Sequence, residues 1–411
     1  MTVQFLFKTT IFQGNHCKQS IDNYVKSYYI TTNIKSYILP QKALFITVPV
    51  FFVVAYFYTA VRLWKILPAV YSLKFLLAFI FFLGIAGVVL FFSYGENMPI
   101  RISGLFYRFS TSWLIAFLYL FIAVMLIDVF RLTNVIFHFF EKDAIRSVFN
   151  NNLITSISIF SLVGIILIIG NINYHNKKRQ QITISSEKID KPLKIVGISD
   201  LHIGYTISVN EVKKWVNMIN SESPDMVIIS GDIIDNHMRP VMNDSIENVL
   251  RKIEAPMGVF ACTGNHDLMF AVKEDQSFFK RSGINLLRDS FININGVTII
   301  GRDDLSNENR AELKHITKSV DRSTFTILLD HQPANLDEAI ANNINLQLSG
   351  HTHRGQVFPI SLITDAIFEL SHGYMKKEGT HFYVSSGIGI WGGKFRIGTR
   401  SEYLIIDLQP S

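Results

Sequence analysis

The sequence predicts two unlike parts in series: an N-terminal all-α transmembrane bundle of about four helices, and a C-terminal α/β domain. Three observations carry this. Four long apolar runs follow one another in the first part of the chain, short strand-like runs alternate with helical stretches in the second, and five of those strand-like runs end in clusters of His, Asp and Asn.

At 411 residues the chain has room for more than one domain, and a hydrophobic fraction of 49% with mean hydropathy +0.26 is high for a wholly soluble protein. The net charge of +6 divides unevenly, with 17 basic and 7 acidic residues before Lys191 and 22 basic and 26 acidic from there on. The basic surplus therefore belongs to the apolar part, where cationic flanks meet anionic headgroups, and gives no support to nucleic-acid binding. Cys17 and Cys262 lie far apart in unlike contexts, which excludes a disulfide framework and a cysteine metal site. Any metal must be held by His, Asp and Asn.

The apolar runs are Ala43 to Trp64, Phe75 to Ser93, Trp113 to Phe130 and Leu153 to Gly170, each close to the ~20 residues a span needs. Arg62 and Lys65, Arg131, and Lys177-Lys178-Arg179 flank them. Residues 43–172 therefore read as the membrane region. Before it, residues 1–42 form a polar segment with scattered lysines and neither the apolar core nor the cleavage site of a secretory signal, so the anchor is expected to be retained. Four spans put both ends on one side, and the basic excess there favours a cytoplasmic N-terminus and a cytoplasmic C-terminal domain. Asp128, one turn from Arg131, is expected to form an interfacial ion pair rather than an intramembrane functional site.

Residues 173–190 read as a polar linker and 191–411 as the second domain, so a fragment beginning near Lys191 is expected to fold alone. Its strand-like runs are Leu193 to Ile198, Met226 to Ile229, Val259 to Cys262, Val297 to Ile300, Phe325 to Leu329, Leu346 to Leu348, Phe382 to Val384 and Tyr403 to Ile406, with helical stretches at Val209 to Ser221 and Asp244 to Ile253.

Five of these runs lead at once into metal-ligand residues: Asp200-Leu201-His202, Gly231-Asp232-Ile233-Ile234-Asp235, Gly264-Asn265-His266-Asp267, Asp330-His331 and Gly350-His351-Thr352-His353. Strand C-termini are where α/β sheets place their sites, so the five clusters can converge on one pocket. Imidazoles suit Zn, Fe or Mn, and carboxylates with an amide oxygen suit a harder partner. Alternation along an extended segment is expected to turn Asp200 and His202 to one side, and His351 and His353 likewise. Each motif alone is weak. In this order, each behind a strand, they form a coherent metal core.

The set D-x-H, G-D-x-x-D, G-N-H-D, H and G-H-x-H resembles the calcineurin-like metallophosphoesterases, above all a membrane-anchored bacterial branch with S-D-L-H, G-H-T-H-x-G-Q and a late S-S-G-x-G-x-W-G. The likeness covers about residues 194–408 and implies a central β-sandwich flanked by helices. It implies that Asp200, His202 and His353 hold one divalent ion, that Asn265, His331 and His351 hold a second, and that Asp232 bridges them. Two such ions need a shared anion, polarise phosphoryl oxygens and lower the pKa of a water. His266 would serve as proton donor or charge stabiliser, oriented by Asp267. Asp235 is expected to be structural or to support a ligand. The implied location is a bacterial cytoplasmic membrane, and the implied substrate is a phosphodiester or pyrophosphate.

Other residues leave alternatives open. Arg354 stands where the branch commonly has Gly, and either grips a substrate phosphate or pairs outward with a surface acid. Asp303 is a substrate contact or a plain turn, His372 can line the pocket, and Asp330 supports a ligand or caps a turn. The run Ser385 to Gly393 is a hairpin turn or, with Trp391 at its tip, an apolar lip for a lipid. Tethering makes an amphiphilic, lipid-linked substrate such as a phospholipid or a UDP-diacylglucosamine plausible. The rival reading is a catalytically silent membrane sensor or scaffold, which would be expected to have lost ligands. A transporter is disfavoured by spans almost free of interior charge and without an inverted repeat.

Overall fold

The computed structural model describes residues 41–411, with side chains from residue 47 onward, so the predicted polar segment 1–42 lies almost wholly outside the described residues. The chain divides into two units that part within one helix, between Gly170 and Asn171.

Four helices of the first unit are long and apolar enough to cross a membrane: α1 (Gln41–Ile66), α2 (Tyr71–Tyr94), α3 (Ile100–Phe137) and α5 (Leu153–His175), with the short α4 (Lys142–Phe149) between the last two. The four predicted spans lie within them. However, α3 runs for 38 residues, roughly 57 Å at the helical rise and well beyond the ~30 Å hydrocarbon layer. Aromatic contacts join α1, α2 and α3: the Tyr56 ring lies 4.9 Å from those of Phe81 and Phe117, and Trp113 Nε1 donates to Tyr56 Oη at 2.9 Å. Asp128 pairs with Arg131 at 3.6 Å as expected, and also binds Arg62 and the Tyr58 hydroxyl, so the carboxylate joins α1 to α3.

The second unit is a sandwich of two six-stranded sheets. The first has the order β1 (Lys178–Ser185), β12 (Glu402–Gln409), β2 (Leu193–Ile198), β3 (Met226–Ser230), β4 (Val259–Cys262), β5 (Ile284–Leu286). The second has β10 (Gly373–Lys377), β11 (Thr380–Val384), β9 (Leu346–Ser349), β8 (Phe325–Leu329), β7 (Val297–Gly301), β6 (Ser290–Ile294). The inner strands are parallel: β2 to β5 in one sheet, β7, β8, β9 and β11 in the other.

Alternation assigns the faces. Ile195, Met226, Ile228 and Phe260 of one sheet meet Ile299, Ile327, Leu346 and Leu348 of the other between the sheets. Val196, Ile198, Val227 and Ile229 turn outward onto Val212, Trp215, Val216 and Ile219 of α6 (Val209–Ser221), which explains that helix's apolar spacing. Ile300, Leu328 and Phe382 pack against Leu313, Ile316, Leu336 and Ala339 beyond the second sheet. The predicted central β-sandwich flanked by helices is therefore the fold.

Two expectations need correction. The supposed linker 173–190 contains β1, which pairs with β12 from Lys178↔Glu402 to Ser185↔Gln409, and the unit already begins at Asn171. Its polar reading arose because β1 is an edge strand, buried on one face only. The run Ser385 to Gly393 is not a hairpin, because β11 and β12 belong to different sheets; it crosses between them and buries Ile388 and Ile390 in the first sheet's outer core.

Candidate metal centre

The predicted ligands follow the C-terminal ends of five parallel strands, β2, β3 and β4 in one sheet and β8 and β9 in the other. Backbone bonds tie these ends together. Asp200 and His202 donate their N–H groups to the carbonyls of Gly231 and Asp232 at 3.0 Å, and Gly350 donates to His331 at 2.8 Å. The His351 N–H reaches across the sheets to Asp200 Oδ1 at 3.0 Å. Gly231 adopts a positive φ of 71°, and Gly264 lies so near Asp232 that a Cβ would stand 2.1 Å from Oδ1.

All seven predicted ligands come together. His202 Nε2 and His353 Nε2 are 3.0 Å apart, with Asp200 Oδ1 at 4.0 and 3.5 Å from them. Asp232 Oδ2 lies 3.7 Å from His202 Nε2 and 3.2 Å from His331 Nε2, a carboxylate placed between the two groups. On the other side, His351 Nδ1 is 3.1 Å from Asn265 Oδ1. Asp200, His202 and His353 form one cluster of potential ligand atoms, and Asp232, His331 and His351 another.

This donor set fits divalent cations. Two imidazole nitrogens on one ion at ~2.0–2.1 Å each would stand roughly 3.0–3.4 Å apart, as His202 and His353 do. His331 Nε2 is buried without a hydrogen-bond partner, while its Nδ1 lies 2.8 Å from the Ser230 carbonyl. That contact fixes the tautomer leaving the Nε2 lone pair for a metal. Burial lowers the His351 pKa to about 3 and holds His353 well below its usual value, which favours both imidazoles as neutral donors. Burial opposes ionisation of Asp232, but His331, His266 and His202 around it hold its carboxyl well below the usual range.

The conformation behind this set differs from the alternation expected. Asp200, His202, Asp232, His351 and His353 all have left-handed backbone, with φ between 46° and 67°. Asp200 and His202 share a site because both lie in a tight turn after β2, not because they alternate along it.

His266 is buried, and burial lowers its pKa. Its expected partner is wrong. The Asp267 carboxylate accepts from the N–H groups of Ile233, Ile234 and Gly264, so it braces the loop after β3. Burial and the nearby Asp232 charge push its pKa up to about 7. The group beside His266 Nδ1 is Asp235, with its carbonyl oxygen at 2.6 Å and Oδ1 at 3.4 Å. The same Oδ1 lies 3.4 Å from His202 Nδ1, so Asp235 supports a metal ligand and His266 together. Spacing alone did not decide between an Asp next to His266 in sequence and one 31 residues before it.

The three proposed substrate contacts find other partners. Asp303 is buried and held bidentately by Arg288 at 2.9 and 2.6 Å, with Thr263 Oγ1 at 2.6 Å. His372 lies 3.3 Å from Glu402, and half-exposed Arg354 takes the outward option, 3.8 Å from Asp365. Asp330 is paired with Arg302 and Arg310. Sequence reasoning missed Arg396 altogether. It is fully buried, donates to the His353 carbonyl at 2.9 Å and the Gly389 carbonyl at 3.0 Å, and so locks the glycine-rich crossover beneath a metal ligand. A lone Arg in Lys394-Phe395-Arg396-Ile397 gives no sequence signal for this.

Known proteins resemble part of this chain. The calcineurin-like phosphoesterase family model matches residues 193–355. A metallophosphoesterase of Helicobacter pylori is 32% identical over 239 residues, 57% of this chain, and the match spans 64% of that protein's length. One from Aquifex aeolicus is 30% identical over 240 residues, covering 56% of this chain and 91% of that protein. A transmembrane protein with metallophosphoesterase domain from Danio rerio is 31% identical over 250 residues, 56% of this chain and 57% of its own. Among solved structures, a dimetal phosphatase from Danio rerio aligns with a TM-score of 0.32 and 13% identity, over 48% of this chain and 88% of that one.

Proposed function

Since the chain belongs to the calcineurin-like metallophosphoesterases, we propose that it is a dinuclear-metal-dependent hydrolase of phosphodiester or pyrophosphate bonds, acting on an amphiphilic substrate at a membrane. The observation that carries this is the convergence of seven ligand-type side chains from both sheets, with Asp232 between the two groups and His266 beside them. Asp200, His202 and His353 would hold one divalent ion and Asn265, His331 and His351 the other, with Asp232 shared and Mn, Zn or Fe suited to the donors. Such a pair supplies Lewis-acid polarisation of phosphoryl oxygens and lowers the pKa of a water.

The chain's own residues supply the rest. His266 holds one proton at Nδ1 against the Asp235 carbonyl, and with a second proton taken up at Nε2 the imidazolium would give that proton to the departing oxygen and return to the neutral ring. Asp235 fixes the orientation of His266 and His202, and Arg396 fixes the segment that carries His353. The membrane helices keep this domain at a lipid surface, and the positive-inside bias favours its cytoplasmic side in a bacterial cytoplasmic membrane. The intact ligand set argues against a silent sensor.

The test is hydrolysis by purified full-length protein loaded with Mn²⁺, Zn²⁺ or Fe²⁺, against bis-p-nitrophenyl phosphate and lipid-linked pyrophosphates. Metal-dependent turnover lost in Asp232→Asn supports the reading. Stoichiometric metal with no turnover of any phosphoester would leave the silent scaffold as the better account.

A further inference from the structure

The helix α7 (Ile360–Ile367) is built inside out. Its buried positions are Ser361 and Thr364, while Ile360, Leu362, Ile363 and Ile367 are 38% to 60% exposed, and Phe358 just before it is 49% exposed. A helix lying on a globular domain normally turns its apolar stripe inward and its polar residues out. Here the inward face is small and polar because α7 sits tightly on the turn that carries the last ligand. A Cβ on Gly355 would stand 2.6 Å from the Ile360 carbonyl carbon and 2.7 Å from Thr364 Oγ1.

The apolar surface is concentrated there. Of the nine exposed large hydrophobic residues among the described residues from Asn171 onward, five fall within Phe358 to Ile367. This cluster carries little charge to desolvate, since Asp365 lies 3.8 Å from Arg354 Nε. A contiguous exposed apolar patch of this kind marks an interaction site.

The patch also lies beside the metal centre. α7 begins seven residues after His353, and Phe368, at its end, places its ring 6.5 Å from that of His351. Phe358 donates its N–H to the Ile397 carbonyl at 2.7 Å, next to the Arg396 that holds the His353 segment.

We propose that Phe358 and α7 dock into the lipid leaflet, with Phe358, Ile360, Leu362, Ile363 and Ile367 entering the acyl boundary, so that a phosphoester anchored in that leaflet reaches the metal centre without leaving it. The occupant is lipid because the domain is never free of a bilayer: its first residue, Asn171, lies within the helix Leu153–His175, which is long and apolar enough to cross one. A short helix with an apolar face and little net charge, held at a lipid surface, lies in the interface plane. The substrate half of the inference rests on the phosphoesterase reading; the docking half does not.

The experiment uses the full chain in a Cys17→Ser background, reconstituted into vesicles of phosphatidylcholine and phosphatidylglycerol. An environment-sensitive fluorophore is placed at Ile363→Cys or, as control, at the exposed Lys318→Cys. Lipids carrying a nitroxide on the acyl chain are expected to quench the label at 363 well above the control, with a blue-shifted emission. Equal quenching at the two positions overturns the docking, as does a cross-link between two copies through residue 363 in place of quenching, which would assign the patch to a second copy. Hydrolysis is read separately. Leu362→Ser with Ile363→Ser is expected to keep turnover of bis-p-nitrophenyl phosphate and to lose about tenfold or more on a vesicle-embedded diester, each apolar anchor being worth about that factor. An equal change on both substrates overturns the link to substrate, while loss of all turnover in the unsubstituted protein refutes the phosphoesterase reading and leaves the quenching result standing.

Discussion

Removing residues before Lys191 is expected to cripple the hydrolytic domain, although all its ligands lie beyond that point. A fragment beginning at Asn171 keeps β1 and the last helical turn; one beginning at Lys191 loses both. Tyr174, Ile184 and Ile189 are at most 4% exposed, so the shorter fragment forfeits three buried side chains. At about 1.5–3 kcal/mol each this sums to roughly 5–9 kcal/mol, an upper figure because the unfolded chain already buries some of that surface. It also uncovers the edge of β12 along an eight-residue ladder and removes the bond from the Tyr174 hydroxyl to Glu211. Whole domains are stable by only about 5–15 kcal/mol, and for one of this size each kcal/mol moves the Tm by about 2–4 °C. The Lys191 fragment should therefore melt roughly 10–30 °C below the Asn171 fragment, or aggregate, when the two are followed by circular dichroism at equal metal loading. Melting within a couple of degrees of each other would refute the reasoning and restore 173–190 as a linker.

Other substitutions separate the roles at the centre. Asp232→Asn should lose both metals and turnover, since the neutral amide leaves two cations facing each other unscreened; near-normal metal content by elemental analysis would contradict this. His266→Ala should keep both metals and slow hydrolysis by ~10²–10⁴, most for poor leaving groups, so equal losses for p-nitrophenol and alkoxide would exclude proton donation. Asp235→Asn should cost less than His266→Ala, and adding it to His266→Ala should cost little more; additive losses would mean that Asp235 acts independently of His266. Glu402 is buried, and although burial raises its pKa, the bonds from His372, Ser386 and Tyr383 bring the net value below the usual 4.5. Its carboxylate thus stabilises the fold above about pH 4.5 and loses that effect as pH falls through the lowered value. Glu402→Gln should be less stable than the parent at pH 7, with the gap closing in acid; a constant gap in Tm across pH 3 to 7 would rule this out.

Buried parallel strands were legible because nothing but an apolar run fits between two covered faces. β2, β4 and β8 match the predicted runs residue for residue. β1, β6 and β10 were not, because each alternates in burial and mixes in residues such as Lys178, Arg179, Asn293 and Lys376 that read as loop. The convergence of the proposed ligands was legible because each lies directly after a buried strand. Of the residues around them, Asp235 was expected in a supporting place, whereas Arg396 and Glu402 were not, since these two act through contacts set by tertiary packing: Glu402 begins β12 yet binds His372 and Ser386, and Arg396 reaches His353 from 43 residues further along the chain.

Five of the seven proposed ligands hold a left-handed backbone that costs a non-glycine residue about 1–3 kcal/mol, at the lower end for Asp and His. A site with that much local strain persists only if its neighbours over-determine it, and here each strained segment is bonded to another. The turn after β2 hangs on Gly231 and Asp232, the turn after β9 hangs on Asp200 through the His351 N–H, and the His353 segment hangs on Arg396. Asp200, assigned to the first metal, thereby also orients a ligand of the second. The two proposed metal positions are for this reason one mechanical unit spanning both sheets, and a change to any one of the proposed ligands should disturb the other position as well as its own.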